Sequence, residues 1–141
     1  MSLLLNENDM NTMLEKIRPQ NETYIAKMWT TIMSGTVKLF ALGALSNVSA
    51  YVGVTDDEIT IAVLDTIDIS HIYGELHVPY DQIRSLKIKK SFIPGQKVIL
   101  VETDSSKLKL TLFNNPLSAK IPNQKQAIDK IITTLQTHVH C

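Results

Sequence analysis

The alternation of apolar and polar positions predicts a helix at each end of the chain. Near the start, four apolar residues recur at helical spacing: Met10, Met13, Leu14 and Ile17. Pro19 disfavours helical geometry at the residue before it, so a short amphipathic helix is predicted from Asp9 to Arg18. Because so short a helix is marginal alone, its apolar stripe must pack on the domain's own flank or on another subunit.

Strand patterns follow this helix. β-Branched and aromatic residues predict a first strand from Glu22 to about Met33. Asp56-Asp57 separates "SAYVGVT" from "EITIAVLD", which indicates a hairpin. Side chains alternate between the two faces of the second strand. One face is predicted to carry Ile59, Ile61 and Val63, and the other face Thr60, Ala62 and Leu64.

The second half of the chain predicts further strands with a corner between them. Proline has no N–H to donate to a strand ladder. The strand that contains Pro79 is therefore predicted either to lie at a sheet edge or to end at Pro79. The alternation fails at Ile83, so a bulge is expected near Arg84–Ser85. Pro94-Gly95 is a turn signal. A second hairpin surrounds residues 104–106, and its inward side chains are predicted to be Leu108, Leu110 and Leu112.

The last element is predicted to be a helix that ends near His138. Asn123 is the expected N-cap, and Gln126 is placed to complete a capping box. The apolar stripe comprises Ala127, Ile128, Ile131, Ile132, Leu135 and Val139. The order of helix, about seven antiparallel strands and helix predicts a small sandwich or barrel, with the final helix as its plug.

Composition narrows the functional classes. Fourteen basic and fourteen acidic residues give a formal net charge of zero, which argues against a dedicated nucleic-acid binder. The chain has a single cysteine, Cys141, so it cannot form an intrachain disulfide. This cysteine content is typical of a reducing compartment. The first residues lack the basic region of a signal peptide. We therefore expect a cytoplasmic protein.

Several segments together resemble the bacterial pleckstrin-homology-like (PH-like) domains. These are "YVGVTDDEITIAVLD", "HVPYDQIRSLKIKKSFIPGQKVILVET", "KLKLTLF" and the helix after Asn123, and they fall within residues 21 to 140. The resemblance implies an α+β, mainly β, fold: a seven-stranded, bent antiparallel barrel capped by a C-terminal amphipathic helix. With the predicted N-terminal helix, the chain is expected to divide into a helical extension at 1–20 and a barrel domain at 21–141.

The resemblance does not extend to a phosphoinositide site. Members that bind phosphoinositides carry several basic residues on the first two strands and the loop between them, whereas this region offers Lys27 and Lys38. Other bacterial members resemble assembly units that form rings. Because one fold hosts many functions, the function must be argued from the site.

An apolar run from Val37 to Val48 is the first candidate interaction segment. Its candidate interface or membrane residues are Val37, Lys38, Leu39, Phe40, Leu42 and Leu45. A run of this length is too short to span a bilayer. Three interpretations stay open: a plug in the domain's own core, a subunit interface, or insertion at a membrane surface.

A basic cluster is the second candidate, and its proposed patch is Lys87, Lys89 and Lys90. Such a patch is predicted to contact anionic lipid or an acidic partner, although lysines also protect edge strands from pairing. Asp56, Asp57 and Glu58 are expected to form a solvated turn. The terminal histidines and Cys141 lack metal-ligand spacing, so no metal or cofactor is expected.

These observations favour a binding module over an enzyme, because the sequence contains no nucleophile elbow or phosphate-binding glycine motif. The leading hypothesis is protein–protein contact, with homo-oligomerisation as its main form. The alternative hypothesis is association with an anionic membrane surface through the apolar run and the basic strand. No nucleic-acid partner is expected.

Overall fold

Seven strands form one antiparallel sheet in the computed structural model of the chain, in the order β5-β4-β3-β2-β8-β7-β6. The structure describes residues 5–34, 48–64, 72–90, 94–104, 107–113, 119–120 and 123–139. The elements are β1 (Leu5–Asn6), α1 (Glu7–Ile17), β2 (Ala26–Ser34), β3 (Val48–Val54), β4 (Glu58–Leu64), β5 (Ile72–Pro79), a 3-10 turn (Tyr80–Gln82), β6 (Ile83–Lys90), β7 (Gln96–Thr103), β8 (Lys107–Phe113), β9 (Ala119–Lys120) and α2 (Gln124–His138). β1 and β9 form a separate parallel pair.

The inner face of the sheet packs against α2 and forms the main core. Alternate residues of each strand point inward, as the sequence pattern predicts. The predicted inward leucines Leu108, Leu110 and Leu112 are buried there. α2 contributes Ile128, Ile131 and Leu135 to this core, and Val139 joins it directly after the helix ends. The prediction of a sheet covered by a C-terminal amphipathic helix is therefore confirmed.

The outer face of β2–β4 is covered by α1. The predicted stripe of this helix is buried against four outward residues of the sheet: Trp29, Tyr51, Ala62 and Leu64. Both faces of these strands are therefore removed from water, and the alternation predicted for β4 separates two cores. The stripe packs on the domain's own flank. The division of the chain at residue 20 stays a prediction.

Hydrogen bonds fasten α1 to the sheet at two tyrosines. The Tyr51 hydroxyl donates to Asp9 Oδ2 at 2.8 Å, and the Tyr24 hydroxyl donates to the backbone oxygen of Leu14 at 2.8 Å. Burial raises the pKa of Tyr24 to about 12 and raises the pKa of Tyr51 further. Both hydroxyls therefore remain donors throughout the neutral pH range.

The ends of α1 follow local rules. The helix begins two residues before the predicted start, because the Asn6 side chain caps it by accepting from the Asp9 N–H at 2.8 Å. It ends where Pro19 requires: Arg18 has extended backbone angles. The predicted start of the next strand at Glu22 is wrong by four residues. Asn21 has a left-handed backbone there, which turns the chain.

The strand end, the bulge and the turn that were predicted for the second half of the chain are confirmed. β5 is an edge strand and ends at Pro79. The register of β6 with β7 shifts between Ile83 and Ser85, so the predicted bulge is present. Gly95 lies in the predicted turn with a φ of 79°, a conformation that suits glycine.

Asn123 occupies the predicted N-cap position of α2, but the predicted side-chain cap is wrong. Asn123 has left-handed backbone angles, and its side chain makes no capping hydrogen bond. A capping side chain requires an extended backbone at its own residue, so the predicted box with Gln126 does not form. The backbone oxygen of Asn123 instead accepts from the Ala127 N–H at 3.0 Å.

Gln124 joins α2 to the sheet where two strands separate. The ladder between β2 and β8 ends at the pair Thr31–Thr111. Trp29 lies two residues earlier, so its backbone groups point to the same side. Its N–H donates to Gln124 Oε1 at 3.2 Å, and its carbonyl accepts from Gln124 Nε2 at 2.6 Å. One side-chain amide thus makes the hydrogen bonds that the ladder between β2 and β8 does not supply to Trp29.

We expect Gln124→Ala to lower the free energy of unfolding by about 3 kcal/mol, because two buried backbone groups of Trp29 lose their partner. Denaturant unfolding followed by circular dichroism measures this change. Gln126→Ala is the matched control, since Gln126 is exposed on the same helix; its change should stay within about 0.5 kcal/mol. Equal stability of the two variants would contradict the role assigned to Gln124.

Gly53 provides a second test of how α1 is held. A Cβ at this position would lie 2.5 Å from two ring atoms of Tyr24. Gly53→Ala should therefore displace the ring and lower the free energy of unfolding by about 2 kcal/mol. In a Tyr24→Ala background the same substitution should cost little, because the obstructing ring is gone. A cost that is unchanged in that background would show that Tyr24 is not the cause.

Candidate functional site

The outer face of the sheet is divided into two halves. α1 covers the half made by β2–β4, whereas the half made by β6–β8 carries exposed residues. The inward positions of β6–β8 lie in the main core, so the alternate positions face outward. We call the outward set the lysine face; it comprises Ser85, Lys87, Lys89, Val98, Leu100, Glu102, Lys107, Lys109 and Thr111.

The cross-strand register determines how these side chains are arranged. Lys87 pairs with Leu100, and Leu100 pairs with Lys109, so two lysines flank one leucine in a row across three strands. Two strand spacings separate the lysines by about 10 Å. In the next row, Lys89 pairs with Val98. Lysines therefore border a central apolar strip on both sides.

One acidic residue belongs to the same face. Glu102 pairs with Lys107 on β8 and with Ser85 on β6. Four lysines thus share the face with one carboxylate, although the whole chain has no net charge. All four lysines are exposed, and no salt bridge of theirs occurs within the described residues.

Nearby cationic side chains outside the lysine face either lie close to a carboxylate or point to the other side of the sheet. Arg84 binds Asp104 through two hydrogen bonds of 2.8 and 3.0 Å, and this partner raises the pKa of the guanidinium group. Lys97 Nζ lies 3.4 Å from Asp129 Oδ1. Lys90, predicted to join the basic patch, has the opposite parity and pairs with Lys97. The register therefore brings together Lys87 and Lys89 of the predicted patch and separates Lys90 from them.

Acidic side chains collect at the opposite edge of the outer face. His77 Nδ1 lies 2.6 Å from Glu58 Oε2, and His77 Nε2 lies 3.4 Å from Glu75 Oε2. The two ends of the outer face therefore carry opposite charge, with α1 between them.

Other predicted candidates are distributed differently. The apolar run with Val37, Lys38, Leu39, Phe40, Leu42 and Leu45 lies outside the described residues. Lys27 Nζ is bonded to Asn11 Oδ1 of α1 at 2.9 Å. It lies seven residues before the end of β2, about 23 Å along the strand from Ser34. Lys27 therefore belongs to the contact with α1.

The described residues contain neither a cluster of metal ligands nor a membrane-spanning helix. Within residues 5–34, 48–64 and the later described ranges, no group of three His, Cys, Asp or Glu side chains is placed to hold a metal ion. His138 stacks on Tyr80 with ring centroids 5.2 Å apart. No helix in the described part of the chain is long and apolar enough to cross a membrane.

Sequence reasoning missed Lys107 and Lys109 as site residues. Their alternation with leucines showed that they face outward, but not that they share a surface with Lys87 and Lys89. Two successive hairpins, β6–β7 and β7–β8, carry this information. Aligning the hairpins in register would have revealed the shared face.

Comparison with known proteins defines the fold. No family model and no curated protein matches the chain. The C-terminal domain of an unknown protein from Leishmania infantum has a TM-score of 0.56 and 14% identity, over 92% of this chain and 96% of that chain. The hSac2 domain of the human phosphoinositide phosphatase Sac2 has a TM-score of 0.57 and 9% identity, over 92% and 78%.

The N-terminal PH domain of Vps36 is similar as well, with a TM-score of 0.52 and 9% identity over 84% of this chain and 83% of that chain. At such identities the likeness concerns the fold alone. Together with the strand order and the helix against the inner face, it shows that the fold is PH-like. The fold prediction is therefore confirmed.

Proposed function

We propose that the chain is a non-catalytic PH-like binding module that docks onto a negatively charged partner through the lysine face. The observation that carries this proposal is the outward row in which Lys87 and Lys109 flank Leu100, with Lys89 in the next row. These lysines are exposed, so their charges are free to meet an external anion.

The distribution of charge favours docking through the lysine face over attraction of the whole molecule to polyanions. Because the net charge is zero, the molecule as a whole is not drawn to polyanions. The lysine face is positive locally, and Glu58 and Glu75 lie at the opposite edge of the sheet. A molecule polarised in this way presents one side to an anionic surface. Like charge discourages approach from the other side.

The finer features of the sequence extend the proposal. The segments around "VPYDQI" support kinship with bacterial PH-like domains. A single cysteine, at Cys141, supports a cytoplasmic location. The lack of recognisable catalytic motifs in the sequence supports a binding role without catalysis.

Retention on immobilised heparin tests the lysine face with a simple polyanion. The wild-type protein should be retained at low salt and should elute as salt rises, because salt screens exposed charges. The triple variant Lys87→Gln, Lys89→Gln, Lys109→Gln should elute at much lower salt.

A matched control separates the face from the total charge. Lys16, Lys125 and Lys130 are exposed on the two helices. Replacing these three by glutamine removes the same charge, and this control should elute close to the wild type. If the two triple variants elute together, the lysine face is not a docking surface. Circular dichroism verifies that both variants are folded.

Self-association is a second candidate function, and the apolar run at 37–45 favours it. The α1 stripe no longer supports it, because that stripe is buried on the chain's own sheet. If the run is an assembly surface, light scattering should show a discrete wild-type oligomer and a folded Phe40→Asp monomer. A wild-type monomer at tens of micromolar would exclude this function.

A further inference from the structure

We infer that the partner of the lysine face is the headgroup layer of an anionic lipid bilayer. This inference rests on the proposed function and names its partner. It depends on three properties of the face: its lysine-only basic chemistry, its apolar centre, and the position of the acidic side chains.

The basic chemistry of the face suits a diffuse anionic surface. Lysine presents a compact point charge on a flexible stem, whereas arginine presents a planar fork that binds single phosphates or carboxylates bidentately. All four cations of the face are lysines. The nearest arginine, Arg84, is already bound to Asp104. The face therefore attracts anions without selecting one fixed geometry.

The centre of the face suits an interface between water and apolar chains. Val98 and Leu100 are partly exposed between the bordering lysines. Lysine stems cover apolar surface while their ammonium groups reach water or headgroups. A protein interface typically centres on tyrosine, tryptophan or arginine and is poor in lysine. The lysine face has the opposite composition.

Nucleic acid fits the face less well. Single-strand binders stack bases on exposed aromatic rings. In the part of the chain that the structure describes, Phe113 follows Thr111 at the next outward position of β8 and is partly buried, and Trp29 on the neighbouring strand β2 is 3% exposed. Their rings contact each other at a centroid distance of 5.6 Å. They are therefore occupied in packing and do not present a stacking platform.

The acidic edge gives the bound module an orientation. Glu58 and Glu75 project from β4 and β5, separated from the lysine face by the strands that α1 covers. A negative bilayer attracts the lysine face and repels this edge. The module therefore lies with β6–β8 against the headgroups and with β5 away from them.

Vesicle cosedimentation tests the inference. The wild-type protein should partition onto vesicles of equal parts phosphatidylcholine and phosphatidylserine, and not onto phosphatidylcholine alone. The triple variant at Lys87, Lys89 and Lys109 should lose about 100-fold in partitioning, which corresponds to about fivefold for each lysine at the surface. The Lys16, Lys125 and Lys130 control should bind like the wild type.

A gain of binding gives a second readout. Glu102 is the carboxylate of the lysine face, so Glu102→Gln should strengthen partitioning by about fivefold. Circular dichroism verifies that Glu102→Gln is folded, so that exposed core residues do not account for the gain. Unchanged or weaker binding by Glu102→Gln would overturn the assigned surface, as would a lysine triple variant that binds vesicles like its control.

Heparin retention and vesicle binding together distinguish failure of the bilayer inference from failure of the proposed function. If heparin retention depends on the lysine face and no partitioning onto anionic vesicles occurs, the bilayer inference is overturned. The proposed function then stands, with an acidic protein or a nucleic acid as partner. If neither heparin nor vesicle binding depends on the face, both the inference and the proposed function fail.

Discussion

Burial of both faces of β2–β4 is the constraint on which the rest of this structure depends. These strands carry apolar residues on each side, such as Val52 and Tyr51 on neighbouring positions of β3. An antiparallel sheet usually faces water on one side, so a second cover is needed here. α2 supplies the inner cover and α1 the outer one. Because α1 spans only this half of the sheet, the outer face of β6–β8 stays available for contacts with other molecules.

Trp29 connects both of these covers to β2. β2 contacts α1 through the Trp29 side chain and α2 through the Trp29 backbone. The amide of Gln124 lies where a residue of β8 would otherwise pair, so α2 can begin inside the opening between two strands. Since an unpaired buried backbone group costs about 1–3 kcal/mol, this contact fixes where the helix enters the core. The left-handed backbone of Asn123 directs the chain into that position.

Local patterns predicted the elements well, and their failures have local causes. Period-two alternation identified the strands, and Pro79 and the parity change at Ile83 identified an edge and a bulge, because these signals act within a few residues. The N-cap position of Asn123 was predicted correctly, but its side-chain hydrogen bond was not, because the same residue type suits both an extended N-cap and a left-handed turn. The surface beneath α1 could not be predicted, since helical periodicity indicates that a stripe is buried and not what buries it.

The lysine face illustrates how composition and register differ as sources of information. A net charge of zero excluded a strongly basic protein, yet it is a sum and does not describe where the charges lie. Lys87 and Lys109 are separated by 22 positions in the chain and lie two strands apart in the sheet. Their proximity follows from two consecutive hairpin registers. A one-residue slip in either hairpin would move the outward lysines to the inner face. The buried inward side chains of β7 and β8, such as Ile99 and Leu110, prevent such a slip, so the inner core that stabilises the sheet also holds the outer lysines together.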